Sequence, residues 1–166
     1  MTQSSEPLQI FLDACRAVIG ASQVLTADGE RERFERDFWN QYRGRAAAVL
    51  RPATTQEVAR IVKLAAEHRI ALVPQAGNTG LVNGGIPDAS GHEIVLSLER
   101  MDKVRAIDAA GDHIDVEAGC VLAAVQQAAA TAGRLFPLAM GSSGSCRIGG
   151  NISTNAGGIN VLRYGM

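Results

Sequence analysis

Apolar positions recur every three or four residues at the start of the chain, within 7–20. These positions are Leu8, Phe11, Leu12, Cys15, Val18 and Ile19. This spacing predicts an amphipathic helix whose apolar face packs against a core. Ser4 and Ser5 offer an N-terminal cap, and Gly20 a stop.

The next stretch, 26–45, has no clear hydrophobic period. Charged and apolar residues are mixed along it, which predicts an irregular connector. We expect Trp39 and Tyr42 to serve as its packing anchors.

An apolar run at 46–50 begins a pattern that is typical of a strand, a helix and a second strand. Thr54 and Glu57 have the spacing of a capping box, and the helical pattern that follows ends near 68. A second short apolar run lies at 71–73. Because the helical pattern is followed so closely by the second apolar run, we predict that the two strands form a parallel pair with a right-handed crossover.

The second half of the chain has shorter apolar runs separated by turn residues. Strands are predicted at 93–98, 104–108 and 113–117, with antiparallel pairing among them. A helix is predicted from 121 to about 132, ending at Gly133. The elements together predict an α+β fold, with an N-terminal helix, a parallel βαβ unit and a mixed or antiparallel second subdomain.

Glycine is the informative residue of the composition. Ten of the 18 glycines lie within two stretches, 77–85 and 141–158, which together hold only 27 of the 166 residues. Four of the six asparagines lie in the same stretches. Such clustering indicates that the backbone either turns sharply or approaches a ligand there.

Charge and cysteine content exclude several classes of function. Sixteen Lys and Arg balance 17 Asp and Glu, so no overall field favours nucleic acid or an anionic membrane. The three cysteines form no C-x-x-C pair. The first residues lack an export signal. The uncharged stretches, which would have to form a membrane span, are broken by Gly, Asn and Pro. These features predict a cytoplasmic protein with reduced thiols and no membrane span.

The first glycine-rich segment, 74–85, follows the second predicted strand and has no charged side chain. Successive unhindered N–H groups form concave nests that accept phosphate oxygens, and Asn78 and Thr79 add side-chain donors. Ligands of parallel sheets collect at the carboxyl ends of the strands. The alternative is a mobile glycine-rich turn without a ligand.

The second segment, 137–158, contains small and hydroxylated residues and one charge, Arg147. Its glycines leave room for a flat ring or a sugar against the backbone. We expect both segments to hold one dinucleotide, whose negative end is bound by amides and not by lysine or arginine. Cys146 is either a reactive thiol or, as we favour, a small packing residue beside the ligand.

Other kinds of site fit less well. No G-x-G-x-x-G follows a strand, no lysine closes a Walker A loop, and G-S-S-G at 141–144 is one residue short of a nucleophile elbow. The histidines and cysteines lack metal-ligand spacing. We therefore predict no metal site, and we assign no catalytic acid or base.

At these residues the sequence resembles the FAD-binding domain of vanillyl-alcohol-oxidase-type (PCMH-type) flavoproteins, and within them the D-2-hydroxy-acid dehydrogenases. The most specific motif is GSCRIGGNISTNAGG at 144–158, followed by RYG at 163–165. The other matching pieces are YRG at 42–44, VLRP at 49–52, GNTGL at 77–81, EAG at 117–119 and FP at 136–137.

The resemblance implies non-covalent FAD, because neither His nor Cys stands in the first segment. The residues that it implies for the FAD diphosphate are Pro74, Gln75, Ala76, Gly77, Asn78, Thr79, Gly80 and Leu81. Those that it implies for the ribityl and flavin portions are Pro137, Gly141, Ser142, Ser145, Cys146, Ile148, Gly149, Gly150, Ile152, Asn155, Ala156 and Gly157.

The resemblance also implies a reaction, in which a D-2-hydroxy acid loses hydride to flavin N5 and the electrons pass to an unnamed acceptor. It divides the chain into a helix and connector at 1–45 and an incomplete FAD-binding domain at 46–166, without the substrate domain that follows in relatives. The stretch 154–165 would then begin an element whose strand partners are missing, and an oligomer or a partner chain would cover it. The alternative is a non-catalytic, truncated FAD-binding module without turnover of its own.

Overall fold

The computed structural model describes residues 5–165, which form two compact units, one ending at Arg100 and one beginning at Met101. The predicted cap at Ser4 lies outside the described residues. The first unit opens with helix α1 (Ser5–Ile19), which confirms the amphipathic pattern. The helix ends at Gly20, whose φ of 86° is a conformation that glycine adopts without strain.

The first unit is built on a four-stranded sheet. Its strands are β1 (Val24–Leu25), β2 (Ala46–Leu50), β3 (Leu72–Gln75) and β4 (Glu93–Ser97). They lie in the order β1-β2-β4-β3, with β2 and β3 both parallel to β4 and β1 antiparallel to β2.

This order corrects two predictions. β2 and β3 do not pair directly, because β4 lies between them and pairs with both. β4 is a parallel strand, and it does not belong to an antiparallel group with the two strands that follow it. A parallel strand covered on both faces has a continuous apolar sequence. Such a sequence does not determine which neighbouring strand it pairs with.

Helix α3 (Thr55–His68) connects β2 to β3 and is capped as predicted. The N–H of Glu57 donates to Thr54 Oγ1 at 3.1 Å, and the Glu57 carboxylate accepts from the N–H of Ala53 at 2.6 Å. Arg69 ends the helix in the left-handed region, with φ of 55°. These bonds satisfy N–H groups that have no partner within the helix.

The sheet is covered on both faces. One face packs against α1 and α3 through a cluster of Phe11, Leu12, Cys15, Ile61, Ala65 and alternate residues of β2 and β4. The opposite face packs Val49 and Val95 against Leu25 and Phe34. Burial on both faces explains why β2 and β4 are almost wholly apolar.

The connector contains more regular structure than the sequence predicts. A short helix α2 (Asp28–Arg31) continues into a 3₁₀ turn at Glu32–Phe34. The packing anchor is Phe34, which is 2% exposed, whereas Trp39 and Tyr42 are 58% and 39% exposed. The prediction that Trp39 and Tyr42 anchor the connector is therefore wrong.

The second unit begins with an antiparallel hairpin, as predicted, of β5 (Val104–Asp108) and β6 (His113–Val116). Helix α4 (Leu122–Thr131) follows and stops before Gly133, whose φ is 70°. A small core contains Cys120, Leu122, Val125, Cys146 and Ile148.

Two further helices follow, the first within the second glycine-rich segment and the second after it. They are α5 (Ile148–Ser153) and α6 (Val161–Tyr164). The expectation that 154–165 begins a strand-like element is wrong, because 161–164 is a helical turn. Ile159 and Leu162 on either side of its start are exposed apolar residues.

Candidate cofactor site

The first glycine-rich segment leaves the carboxyl end of β3, where the Gln75 side chain holds it in place. Gln75 is 5% exposed, and its Nε2 donates to the carbonyls of Phe34 at 2.9 Å and Gly85 at 2.7 Å. The bond to Gly85 joins the start of the segment to its end, and the bond to Phe34 joins the segment to the 3₁₀ turn of the connector. The structure therefore places the Gln75 amide in a supporting position, with its donors already used.

The backbone of this segment offers donors to a ligand. Within the described part of the chain, none of the N–H groups of residues 77–85 donates to a protein acceptor. Asn78 and Asn83 have φ of 50° and 60°, the left-handed conformation that turns successive N–H groups toward one side. The Asn78 side chain is occupied, since its Nδ2 donates to the carbonyl of Arg36 at 2.8 Å.

The tip of the segment is accessible. Gly80, Leu81 and Val82 are exposed, and a Cβ added to Gly80 would meet nothing within 4 Å. The segment has no charged side chain. Free, uncharged N–H groups at the end of a parallel strand are suited to the oxygens of a phosphate.

The second unit contains a cavity of about 480 Å³. It lies under α5 and against the hairpin and α4, and its walls are mostly apolar. A volume of this order is typical of pockets that enclose a cofactor-sized ring. The predicted site residues on its wall are Pro137, Ile148, Ile152, Asn155, Ala156 and Gly157.

The other predicted residues of this segment lie elsewhere. Gly141 and Ser145 are exposed in a turn, and Ser142 accepts bonds from Ser145 and Cys146 through its carbonyl. Cys146 is 1% exposed and packs in the core of the unit. None of these four lines the cavity.

Gly149 and Gly158 are required by close approaches of the backbone. A Cβ on Gly149 would lie 2.8 Å from the Cβ of Ala118, and the Gly149 N–H donates to the Ala118 carbonyl at 2.8 Å. A Cβ on Gly158 would lie 2.3 Å from the carbonyl oxygen of Ala139. The two glycines thus hold α5 and the stretch after it against the rest of the unit.

Sequence reasoning missed several cavity residues. They are Ile114, Val116, Val125, Phe136, Leu138, Asn151, Asn160, Tyr164 and Gly165. Three of them, Phe136, Asn151 and Tyr164, lie within the motifs quoted above, so the resemblance itself could have indicated them. The apolar residues of the hairpin had no such signal, because their alternation is explained equally by a core.

The thiols are packing groups. Burial raises the pKa of the Cys15 thiol to about 11, and burial also raises the pKa of Cys120. Both are completely buried. A thiol that is protonated and inaccessible at neutral pH is a poor nucleophile.

The free amides of the first unit suit phosphate oxygens, and the cavity of the second unit suits a flat ring. A flavin dinucleotide contains both groups, and the family comparison agrees. Residues 46–166 match the model of a family described as "FAD binding domain". Because the match covers most of the chain, the chain belongs to this family, and FAD is its cofactor.

The named relatives lie within the D-2-hydroxy-acid dehydrogenases, which confirms the resemblance. A probable mitochondrial D-2-hydroxyglutarate dehydrogenase of indica rice is 39% identical over 150 residues, which are 90% of this chain and 26% of that protein. A putative mitochondrial D-lactate dehydrogenase of fission yeast is 37% identical over 169 residues, covering 98% of this chain and 31% of that protein. The chain thus spans between a quarter and a third of the length of these relatives.

Solved structures confirm the fold. The alignment with alkyldihydroxyacetonephosphate synthase has a TM-score of 0.83 at 18% identity, and it covers 99% of this chain and 31% of the synthase chain. The alignment with p-cresol methylhydroxylase has a TM-score of 0.66 at 18% identity, and it covers 80% of this chain and 26% of the hydroxylase chain. The fold is therefore the PCMH-type α+β fold. Among residues 5–165 no helix has the length and apolar character needed to cross a membrane.

Proposed function

We propose that this chain is the FAD-binding portion of a flavin-dependent oxidoreductase that oxidises a D-2-hydroxy acid. The observation on which this depends is the run of N–H groups at 77–85 that have no acceptor among the described residues, in a chain of an FAD-binding family. The names of the rice and fission yeast relatives support the substrate class. When bound, FAD would supply the two-electron acceptor, taking hydride at N5.

The first segment holds the diphosphate in this proposal. Its residues are Pro74, Gln75, Ala76, Gly77, Asn78, Thr79, Gly80 and Leu81. Backbone N–H groups donate to the phosphate oxygens. Gln75 joins the two ends of the segment through Gly85 and joins the segment to the connector through Phe34. Bonds from N–H groups to a charged acceptor are about twice as strong as those between neutral groups, so no lysine is required.

The second segment holds the ribityl and ring portions. Its residues are Pro137, Gly141, Ser142, Ser145, Cys146, Ile148, Gly149, Gly150, Ile152, Asn155, Ala156 and Gly157. Six of them line the apolar cavity, which would exclude water from one side of the ring and fix its orientation. Cys146 and Gly149 contribute by packing α5 in place.

Further parts of the proposal concern the complete protein. We assign the helix and connector to 1–45 and the FAD-binding domain to 46–166, and we place the groups that move the substrate proton outside this chain. The chain alone would then bind FAD non-covalently without turning over substrate. The electron acceptor is not assigned. A cytoplasmic location stays a prediction, and both of the relatives described above are named as mitochondrial proteins.

A charge reversal at the open tip of the first segment tests the phosphate assignment. In Gly80→Asp a carboxylate enters free space beside the free N–H groups. At about 6 Å from a diphosphate, a like charge costs ~2–3 kcal/mol with an effective dielectric constant near 20. We expect the dissociation constant for FAD, measured by quenching of flavin fluorescence, to rise more than tenfold.

Gly29→Asp is the matched control. Gly29 also has nothing within 4 Å of an added Cβ, and it lies in α2 of the same unit. This variant should bind FAD as the unaltered chain does, and both variants should keep its melting temperature. Equal affinity for FAD in Gly80→Asp and Gly29→Asp, or no binding of FAD by the unaltered chain, would contradict the proposal.

A further inference from the structure

One polar side chain on the cavity wall has an unused acceptor. Asn151, in α5, is 7% exposed and lines the cavity. Within residues 5–165 its buried Oδ1 has no hydrogen-bond partner. A buried carbonyl oxygen without a donor is destabilising, and in most proteins such an atom has a partner.

The backbone of Asn151 is fixed, whereas its carboxamide is weakly held. The N–H donates to Arg147 O at 3.0 Å, and the carbonyl accepts from the N–H of Ala156 at 2.8 Å. The hydrogen bond that the side-chain Nδ2 makes among residues 5–165 is to the Met140 sulfur, at 3.6 Å. A thioether is a weak acceptor and the terminal torsion of Asn is broad, so the carboxamide can turn toward a better partner.

Two backbone carbonyls on the same wall, those of Pro137 and Leu138, already accept hydrogen bonds. Asn160 donates through Nδ2 to the carbonyl of Pro137 at 2.8 Å. Gln126 donates through Nε2 to the carbonyl of Leu138 at 2.6 Å. Among the described residues, the buried Asn151 oxygen differs from these two carbonyls in lacking a donor.

We propose that Asn151 Oδ1 accepts a hydrogen bond from the N3–H of the isoalloxazine ring, an inference that rests on the proposed FAD function. An oxidised isoalloxazine has a single ring N–H, at N3, and its other polar ring atoms are acceptors. An apolar cavity whose wall carries a buried acceptor without a donor among residues 5–165 is complementary to that ring edge. Asn151 thereby sets the orientation of the ring in the cavity.

The test compares FAD with N3-methyl-FAD, which lacks this N–H. For the unaltered chain we expect fluorescence titration to give a dissociation constant about tenfold lower for FAD than for the methylated cofactor. In Asn151→Leu, which keeps the size of the side chain and removes the acceptor, this preference should disappear and FAD should bind about tenfold more weakly. Asn160→Leu, on the same wall, should keep the preference.

The comparison in the unaltered chain needs no variant, so it can overturn the proposal even where a substitution prevents folding. Equal affinity of the unaltered chain for the two cofactors would overturn it. A preference that persists unchanged in Asn151→Leu would overturn it too, because steric exclusion of the methyl group would then explain the difference. Failure of the unaltered chain to bind either cofactor would contradict the FAD function itself and is distinguishable from both results.

Discussion

Gly149 and Gly144 belong to the same glycine-rich segment but differ in what surrounds them. An added Cβ on Gly149 would lie 2.8 Å from the Cβ and 2.9 Å from the carbonyl oxygen of Ala118, whereas at Gly144 nothing lies within 4 Å. Gly149 is in α5, where alanine is otherwise favoured by about 0.5–1 kcal/mol. A loss of stability on substitution would therefore measure the contact with Ala118.

We expect Gly149→Ala to lower the free energy of unfolding by about 1–3 kcal/mol, the usual cost of forcing extra atoms into a packed site. Gly144→Ala should change it by less than about 0.5 kcal/mol. Urea denaturation followed by circular dichroism measures both. Equal stability of the two variants would show that α5 moves away from Ala118 without cost.

The sequence showed where residues typical of ligand-binding segments lie, but it did not show what each of those residues does. Glycine clustering located both segments, but Gln75 proved to be a support whose donors are used within the protein. Trp39 looked like an anchor because of its size, yet it is more than half exposed. A residue's type limits the bonds that it can form, and only the surrounding backbone decides which of them it does form.

At the scale of elements, the β5–β6 hairpin is held at its open end by Glu117. The carboxylate accepts from the backbone N–H of Lys103 at 3.0 Å and from Arg105 Nη2 at 3.3 Å. These bonds, the Lys103 N–H first, hold the pKa of Glu117 below its usual value. The charged form is therefore favoured in the folded state.

A carboxylate whose pKa is lower in the folded state stabilises the fold above its unfolded-state pKa. This contribution is lost as the pH falls through the folded pKa. The melting temperature of the unaltered chain should then fall more steeply than that of Glu117→Gln below about pH 4.5. At neutral pH Glu117→Gln should be the less stable of the two.

Thermal melts between about pH 3 and pH 6 measure this difference. Asp115→Asn, at an exposed position on β6, is the matched control, and its melting curve should follow that of the unaltered chain. Parallel pH curves for the unaltered chain and Glu117→Gln would contradict a stabilising role for the Glu117 carboxylate.

Most elements of this fold could be predicted from hydrophobic spacing, but which strands pair with each other in the sheet could not. The helices α1, α3 and α4 and the strands β2 to β6 follow the pattern closely. The insertion of β4 between β2 and β3 depends on tertiary packing, because two-sided burial makes β2 and β4 similarly apolar and their sequences do not determine which strand pairs with which. Helix α5 was missed because Gly149 and Gly150 disfavour helices, and contacts with Ala118 and Cys120 override that preference.

At the scale of the whole molecule, the family and the fold are established and the joint use of the two glycine-rich segments is a proposal. The chain belongs to an FAD-binding family and shares the PCMH-type fold. It spans 26% of the rice relative, so the reaction of a complete protein is inferred from relatives. What the chain itself can test is whether both segments contact one cofactor.

Hydrogen exchange of backbone amides during an FAD titration is the most direct measurement. If one FAD is held by both segments, the amides of 77–85 and 148–157 should slow together, with the same midpoint and one cofactor per chain, while the hairpin turn at 109–112 is unchanged. Protection of only one segment, or two separate midpoints, would contradict a single FAD site built from both.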